Sequence, residues 1–151
     1  MRAVVINCTL KRSPEQSNTE ALAAVVIEEL RERKVEVETI RAVDLNIPPG
    51  VNTDDDGRPV LYNRVAGVVV TGNEDGAHHV INNLSGALNE FGYTIPGQAW
   101  TYWNKGPGPG PSFLETDEGR DWSITTGRAM ASNLVAVATA LAERPVPAPP
   151  S

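Results

Sequence analysis

A short apolar strand that runs into a polar loop and then into a helix is the feature that most constrains this fold. Residues 3–6 read Ala-Val-Val-Ile, a β-branched run typical of a strand buried on both faces. Hydroxyl, amide and basic side chains fill the loop at residues 7–18, and Thr19 opens the helix. Because a helix start favours anions, the unit predicts either an anion site or an ordinary helix capped by Asn18 or Ser17. The loop lacks the glycine patterns of a dinucleotide fingerprint or a P-loop.

The hydrophobic pattern further along predicts alternating strands and helices. Apolar residues at helical spacing predict helices at residues 19–34, 77–91 and 122–141. Runs rich in β-branched and aromatic residues predict strands at residues 35–40, 65–71 and 99–103. The second strand alternates apolar and charged residues, which is typical of a sheet edge. Residues 41–64 have neither period, and a link this long is uncommon inside a compact domain. The order predicts an α/β domain with a mainly parallel sheet.

Composition excludes several classes of function. A net charge of −6 and a pI near 4.9 argue against a nucleic-acid or anionic-membrane partner. Without a long apolar run or a secretory leader, we expect a cytoplasmic protein. Cys8 is the one cysteine, which excludes an internal disulfide, and a buried structural thiol is expected.

No metal site and no catalytic side chain are predicted. His78 and His79 are adjacent, so on a helix they point about 100° apart and do not chelate easily. The acidic run at residues 54–56 lacks the distal glutamate of a calcium loop. No nucleophile motif of a hydrolase is present.

Three polar loops follow the carboxyl ends of predicted parallel strands. They lie at residues 9–18, 71–79 and 101–105. In open α/β sheets, ligands bind outside the carboxyl ends of the strands. Topology therefore predicts that these three loops converge at one edge.

Three stretches resemble the NADPH-dependent FMN reductase family. They are INCTLKRSPEQSNT at residues 6–19, VAGVVVTGNEDGAHHVI at residues 65–81 and AWTYWN at residues 99–104. The resemblance implies a flavodoxin-like three-layer sandwich with a mainly parallel sheet over residues 1–144. The proline-rich tail at residues 145–151 cannot continue a helix and is expected to be disordered. The resemblance also implies an FMN-binding oxidoreductase of the flavin reductase type, which uses NAD(P)H as co-substrate and passes electrons to a small-molecule acceptor. A homodimer is also expected.

The resemblance also assigns a flavin site. In that family the first loop holds the FMN phosphate, and the loop after the third strand here lies along the isoalloxazine ring. Phosphate contacts are assigned to Thr9, Lys11, Ser17, Asn18 and Thr19, and ring contacts to Thr71, Gly72, Asn73, Glu74, Asp75 and Gly76, with His78 and His79 at the edge. Trp103 is the expected stacking ring because it lies at a loop, whereas at least one of Trp100 and Tyr102 is expected in the core. No side chain is assigned to catalysis, because the flavin itself takes the hydride.

The chain departs from the family in the middle. The family has a further strand of about 5 and helix of about 11 residues before residue 65, and this sequence lacks them. We therefore expect about four strands, a gap in the sheet and a flavin site without one wall. Three outcomes are compatible with this sequence. The third strand here pairs directly with the first, a partner subunit fills the gap, or the native protein has residues that this sequence lacks. A shortened protein without tight flavin binding, acting as a dimeric binding or scaffold module, is the alternative function.

Overall fold

Four strands and three α-helices alternate along the part of the chain that the structure describes. This computed structural model describes residues 1–46, 55, 57–72, 76–106 and 108–147. The elements are β1 (Arg2–Asn7), α1 (Asn18–Glu32), β2 (Glu36–Arg41), a 3-10 turn (Ala42–Asp44), β3 (Val68–Gly72), α2 (Ala77–Glu90), β4 (Trp100–Asn104) and α3 (Arg120–Glu143). The predicted order is confirmed, with bounds that move by a few residues.

The sheet is interrupted between β1 and β3. β1 pairs in parallel with β2, with Val4 opposite Glu38. β3 pairs in parallel with β4, with Val70 opposite Tyr102. Within the described residues the two pairs form separate two-stranded sheets. The possibility that the third strand closes the gap by pairing with the first is therefore wrong, and the predicted position of β2 at an edge is confirmed.

A layer made of α1 and α3 covers one face of both strand pairs. Val26 of α1 and Met130 of α3 belong to one buried cluster. Ala3 of β1 and Val69 of β3 both pack against that cluster. Gly127 of α3 lies directly against α1, since a methyl group there would be in ordinary van der Waals contact, at 3.5 Å, with side-chain carbons of Val25 and Val26. Apolar packing therefore joins the two halves of the sheet.

The opposite face is only partly covered. The side chains of Val4 and Ile6 on β1 are 54% and 60% exposed. The sequence predicts burial of β1 on both faces, and that prediction is wrong because α2 packs on β3 and β4. Cys8 follows β1 and is also exposed, which corrects the expected buried thiol.

The apolar stripe of α2 is also more exposed than the sequence predicts. Ala77 and Ile81 are buried against the sheet. Three further members of the predicted stripe are 40–46% exposed: Val80, Leu84 and Phe91. The apolar stripe of α2 is therefore wider than the part of it that packs on β3 and β4.

The long link and the tail are described in part. The 3-10 turn lies at the start of the predicted link, and Asn63 near its end exchanges hydrogen bonds with the backbone of Val146 after α3. Val65 forms an isolated bridge with Thr94, so β3 begins later than predicted. Residues 47–54, residue 56 and residues 148–151 lie outside the described part.

The close packing around Gly67, just before β3, can be tested by adding a methyl group there. A methyl group on Gly67 would lie 2.5 Å from Met130 Cε and 2.7 Å from the Ala99 carbonyl oxygen. Because the second contact is with backbone, Gly67→Ala is expected to lower the free energy of unfolding by about 1–3 kcal/mol. Urea unfolding followed by circular dichroism measures this change.

Gly86 provides the matched control. It lies inside α2, and a methyl group there would have no neighbour within 4 Å. Gly86→Ala should therefore stabilise the protein by about 0.5–1 kcal/mol. Equal effects of the two substitutions would contradict the close packing at Gly67.

Candidate functional site

The start of α1 meets the end of β3 at the carboxyl edge of the strands. Thr19 Oγ1 lies 2.8 Å from Thr71 Oγ1, so the two hydroxyls form a hydrogen bond. Both side chains are partly buried. This bond joins the first turn of α1, directly after the first predicted loop, to Thr71 at the start of the second, and it spans the interruption between the strand pairs.

Ser17 is the cap of α1. Its Oγ accepts a hydrogen bond from the Glu20 N–H at 3.2 Å, so of the two predicted caps Ser17 is the correct one. Asn7, at the end of β1, donates from Nδ2 to Ser17 Oγ at 3.4 Å and to Glu20 Oε2 at 3.3 Å. Asn18 instead accepts a hydrogen bond from the Leu114 N–H at 3.2 Å. The side-chain oxygens of Ser17 and Asn18 thus accept hydrogen bonds from backbone N–H groups of the chain itself.

Arg41 anchors the first loop to the end of β2. Its Nη1 donates to the carbonyl oxygens of Lys11 at 3.2 Å and Glu15 at 2.9 Å. Its Nη2 pairs with the Glu20 carboxylate, and the Arg41 side chain is only 11% exposed. The guanidinium therefore neutralises a carboxylate that would otherwise disfavour an anion near α1. The sequence analysis missed Arg41, because nothing local distinguishes it at the start of an unpatterned link.

Asp44 holds the same loop from the 3-10 turn. Ser13 donates to it from the backbone N–H at 3.3 Å and from Oγ at 2.6 Å. The Ser13 hydroxyl lowers the pKa of Asp44 below its ordinary value, and the charges of Arg41 and Arg12 act in the same direction. The loop is therefore tied to β2 and to the turn that follows it.

Thr9 and Lys11 lie at the surface of this loop. Thr9 Oγ1 accepts a hydrogen bond from the Lys11 N–H at 3.3 Å. The exposed ammonium of Lys11 donates to the Gln16 carbonyl oxygen at 3.1 Å. A cation and a hydroxyl therefore lie within the loop that leads into α1, where the helix dipole also favours negative charge.

The second loop is described only at its two ends. Thr71 and Gly72 are half-buried at the end of β3, and Gly76 is exposed just before α2. Asn73, Glu74 and Asp75 lie outside the described residues. His79 is exposed on α2, with Nε2 3.0 Å from Asn83 Nδ2.

Trp103 lies in the core, which corrects its prediction as the stacking ring. It is 2% exposed, and its ring centroid is 5.8 Å from that of Phe113. Its Nε1 donates to the Glu118 carbonyl oxygen at 2.8 Å. Alternate residues of a strand point to opposite faces, so Thr101 and Trp103 face the α1–α3 layer. Such burial leaves this ring no free face for a ligand.

A cluster of aromatic side chains lies on the other face of β4, beside the first turn of α2. The ring centroid of Tyr102 lies 4.9 Å from that of His78 in α2 and 4.9 Å from that of Trp122 in α3. Trp100 lies 5.5 Å from His78, and Trp122 is 47% exposed. The sequence placed Trp100 and Tyr102 on one face, but only the packing of the helices shows that this face is the more open one.

Residues 112–119 connect the first and third loops, which the sequence did not indicate. Glu118 pairs with Lys105 after β4, and Leu114 contacts Asn18 at the start of α1. Glu115 accepts a hydrogen bond from the Ser112 N–H, which lowers its pKa below the ordinary value. The three predicted loops are thus joined by hydrogen bonds, directly or through this segment.

Solved structures identify the fold as flavodoxin-like. The chain superposes on RosB with bound 8-demethyl-8-formylriboflavin-5'-phosphate at a TM-score of 0.85 and 26% identity, over 97% of this chain and 82% of that chain. A flavodoxin of Streptococcus pneumoniae TIGR4 superposes at a TM-score of 0.57 and 16% identity, over 90% of this chain and 99% of that chain. The predicted α/β flavodoxin-like fold is confirmed.

Two curated proteins are similar in sequence. The 8-demethyl-8-aminoriboflavin-5'-phosphate synthase of Streptomyces davaonensis is 26% identical over 175 residues, which cover 76% of this chain and 68% of that protein. The divalent metal cation transporter MntH of Mycobacterium bovis is 32% identical over 198 residues, 93% of this chain. This chain spans only 29% of the length of MntH. A search of protein-family models found no match.

Both alignments are longer than the chain itself. They extend over 198 and 175 positions, whereas the chain has 151 residues. Each relative therefore carries residues within the aligned region that have no counterpart in this chain. Among the helices that the structure describes, none is long and apolar enough to cross a membrane.

The Arg41 contacts generate a test of the first loop. Hydrogen bonds to charged groups contribute about 1.5–3 kcal/mol, and the partial exposure of Glu20 reduces this. In Arg41→Met, backbone amides in the loop at residues 9–17 should exchange about tenfold faster, as measured by hydrogen exchange. Arg33→Met is the control, since Arg33 pairs with Glu29 on the surface of α1 and should change stability by less than about 0.5 kcal/mol. Unchanged exchange in Arg41→Met would contradict the anchoring role.

The lowered pKa of Asp44 generates a pH prediction. A carboxyl whose pKa is lower in the folded state stabilises the protein above its unfolded pKa, and this contribution is lost as the pH falls through the folded pKa. Asp44→Asn should therefore lower stability at neutral pH and show a smaller further loss on acidification. Urea midpoints of both proteins between neutral and strongly acidic pH measure this. Parallel curves would contradict the Ser13–Asp44 interaction.

Proposed function

We propose that this chain binds FMN, or a closely related riboflavin 5'-phosphate, at the carboxyl edge of its strands. The observation that carries the proposal is the Thr19–Thr71 hydrogen bond, which brings the start of α1 to the end of β3 in a flavodoxin-like fold. RosB, of the same fold, is described with a bound riboflavin 5'-phosphate derivative. In this proposal NAD(P)H reduces the flavin, and a small molecule accepts the electrons.

The first loop fits a phosphate group. Lys11 supplies a positive charge at the surface, Thr9 supplies a hydroxyl, and the start of α1 supplies the positive end of a helix dipole. Arg41 neutralises Glu20, so the adjacent carboxylate does not oppose an anion. The phosphate is therefore assigned to the loop that Arg41 and Asp44 hold in place.

The end of β3 and the start of α2 fit the ring. Gly72 and Gly76 lack side chains, so the backbone can approach a flat ligand closely. The ring of Tyr102 lies against His78 in the first turn of α2 and against Trp122, and such rings can stack on a second aromatic compound. The flavin, when bound, supplies the hydride chemistry at its own ring. The chain's part is to hold and orient it.

Two alternatives each have a supporting observation. The Streptomyces relative is named as a synthase of a modified riboflavin phosphate, which favours a flavin that is substrate rather than cofactor. The interrupted sheet favours a protein without tight flavin binding that acts as a dimeric binding or scaffold module. Homodimerisation and a cytoplasmic location stay predictions.

A titration of the purified protein with FMN tests the proposal. We expect saturable quenching of flavin fluorescence near one FMN per chain. Lys11→Gln should weaken binding by about tenfold, because one charged hydrogen bond to the phosphate is lost. Lys34→Gln, at the opposite end of α1, is the matched control and should bind as the parent does. An absence of saturable binding, or equal effects of the two substitutions, would overturn the phosphate assignment.

A second assay distinguishes the two flavin reactions. Consumption of NAD(P)H with recovery of unchanged FMN would support the reductase proposal. Mass spectrometry that finds a modified flavin would instead support the flavin as substrate. Both readouts use the same purified chain.

A further inference from the structure

The chain just after α3 is bonded to a turn that precedes β3. Asn63 Nδ2 donates to the Val146 carbonyl oxygen at 3.3 Å, and Asn63 Oδ1 accepts a hydrogen bond from the Val146 N–H at 2.7 Å. One side-chain amide therefore satisfies both backbone polar groups of one residue. Two residues that face each other in an antiparallel ladder exchange the same pair of bonds.

The residues on either side of Val146 suit this contact. Pro145 and Pro147 have no N–H, so the Val146 N–H is the single backbone donor of residues 145–147. Because a residue before proline is restricted to extended conformations, Pro147 reduces the freedom that Val146 loses when it binds. Val146 remains 45% exposed, so the contact depends on its backbone rather than on its side chain.

The turn that carries Asn63 is held in place by contacts of its own. The Tyr62 N–H donates to the Pro59 carbonyl oxygen at 3.0 Å. A methyl group on Gly92 would lie 2.8 Å from Tyr62 Cδ2, so the turn packs closely on the residue that follows the end of α2. Asn63 has a φ of 60°, a left-handed conformation that asparagine adopts more readily than most residues. The side-chain amide is therefore presented by a preformed surface.

We propose that the turn at residues 59–63 is a recognition site for an extended residue next to proline, and that residues 145–147 of the same chain occupy it. The segment then acts as a strap between the end of α3 and the turn that packs on the end of α2. The strap also fixes the approach to β3, because the Thr94 N–H donates to the Arg64 carbonyl oxygen at 2.8 Å directly after the turn. This region lies where β3 and β4 begin, whereas the candidate flavin site lies where the strands end.

Amide hydrogen exchange of Val146 in the full chain, followed by NMR, tests the proposal. We expect this amide to exchange about tenfold more slowly than in a synthetic peptide of residues 143–151. Asn63→Gly should restore the peptide rate, because glycine adopts the left-handed backbone but lacks the side-chain amide. The same substitution should speed exchange of the Tyr62 amide in the turn. Amides of β1 and β2 are the internal reference and should not change.

Two variants in the segment test what the turn recognises. Pro147→Ala releases the backbone of Val146 and should reduce the protection of the Val146 amide about threefold. Val146→Ala is the matched control, since it keeps both backbone groups that bond to Asn63 and changes only a side chain that is largely exposed. Each variant is compared with a peptide of its own sequence, and Val146→Ala should keep the full protection.

Three outcomes would overturn the proposal. If the Val146 amide exchanges at the peptide rate in the full chain, or if Asn63→Gly leaves it protected, the turn is not the site. If Pro147→Ala and Val146→Ala keep equal protection, the turn does not select a residue next to proline. If protection is lost on dilution, the segment of a second copy is the occupant. No flavin is present in the experiment, so its result is separate from that of the FMN titration.

Discussion

The packing of α1 against α3 is the interaction on which the rest of the structure depends. Leu22 of α1 and Ala131 of α3 are completely buried, and Val69 of β3 contacts the clusters around both. Full burial of one large apolar side chain contributes about 1.5–3 kcal/mol. Because backbone hydrogen bonds do not join β1 to β3 in the described residues, this apolar layer holds the two strand pairs in one domain.

The candidate site inherits its geometry from that layer. α1 carries Ser17 and Thr19 at its start, so the position of α1 decides where the first loop meets the end of β3. Arg41 and Asp44 then connect the loop to β2, which lies on the other side of β1. The edge that would hold a phosphate is thus braced from both strand pairs. A change that loosens the layer would be expected to disturb the site before it disturbs any single helix.

Sequence reasoning succeeded where the signal is local. Helical spacing and β-branched runs predicted the element order, the polar residues before α1 predicted a cap at Asn18 or Ser17, and alternation predicted the edge position of β2. Topology also predicted that the polar loops would converge at one edge, and the hydrogen bond between Thr19 and Thr71 lies at that edge. It failed for Trp103, because a strand pattern shows which residues share a face but not which face is buried. Arg41 and Asn7 were missed because their partners lie far away in sequence.

The sequence by itself determined the α/β class, the order of elements and the loops that lead to the carboxyl edge, because these follow from periodicity and capping within short windows. The tertiary structure decided that the sheet stays interrupted, that Val4, Ile6 and Cys8 remain exposed, and that Trp103 enters the core. These outcomes depend on which neighbours a residue has in space. A hydrophobic run indicates that a strand has apolar faces, but only the packing of the helices shows whether those faces are covered.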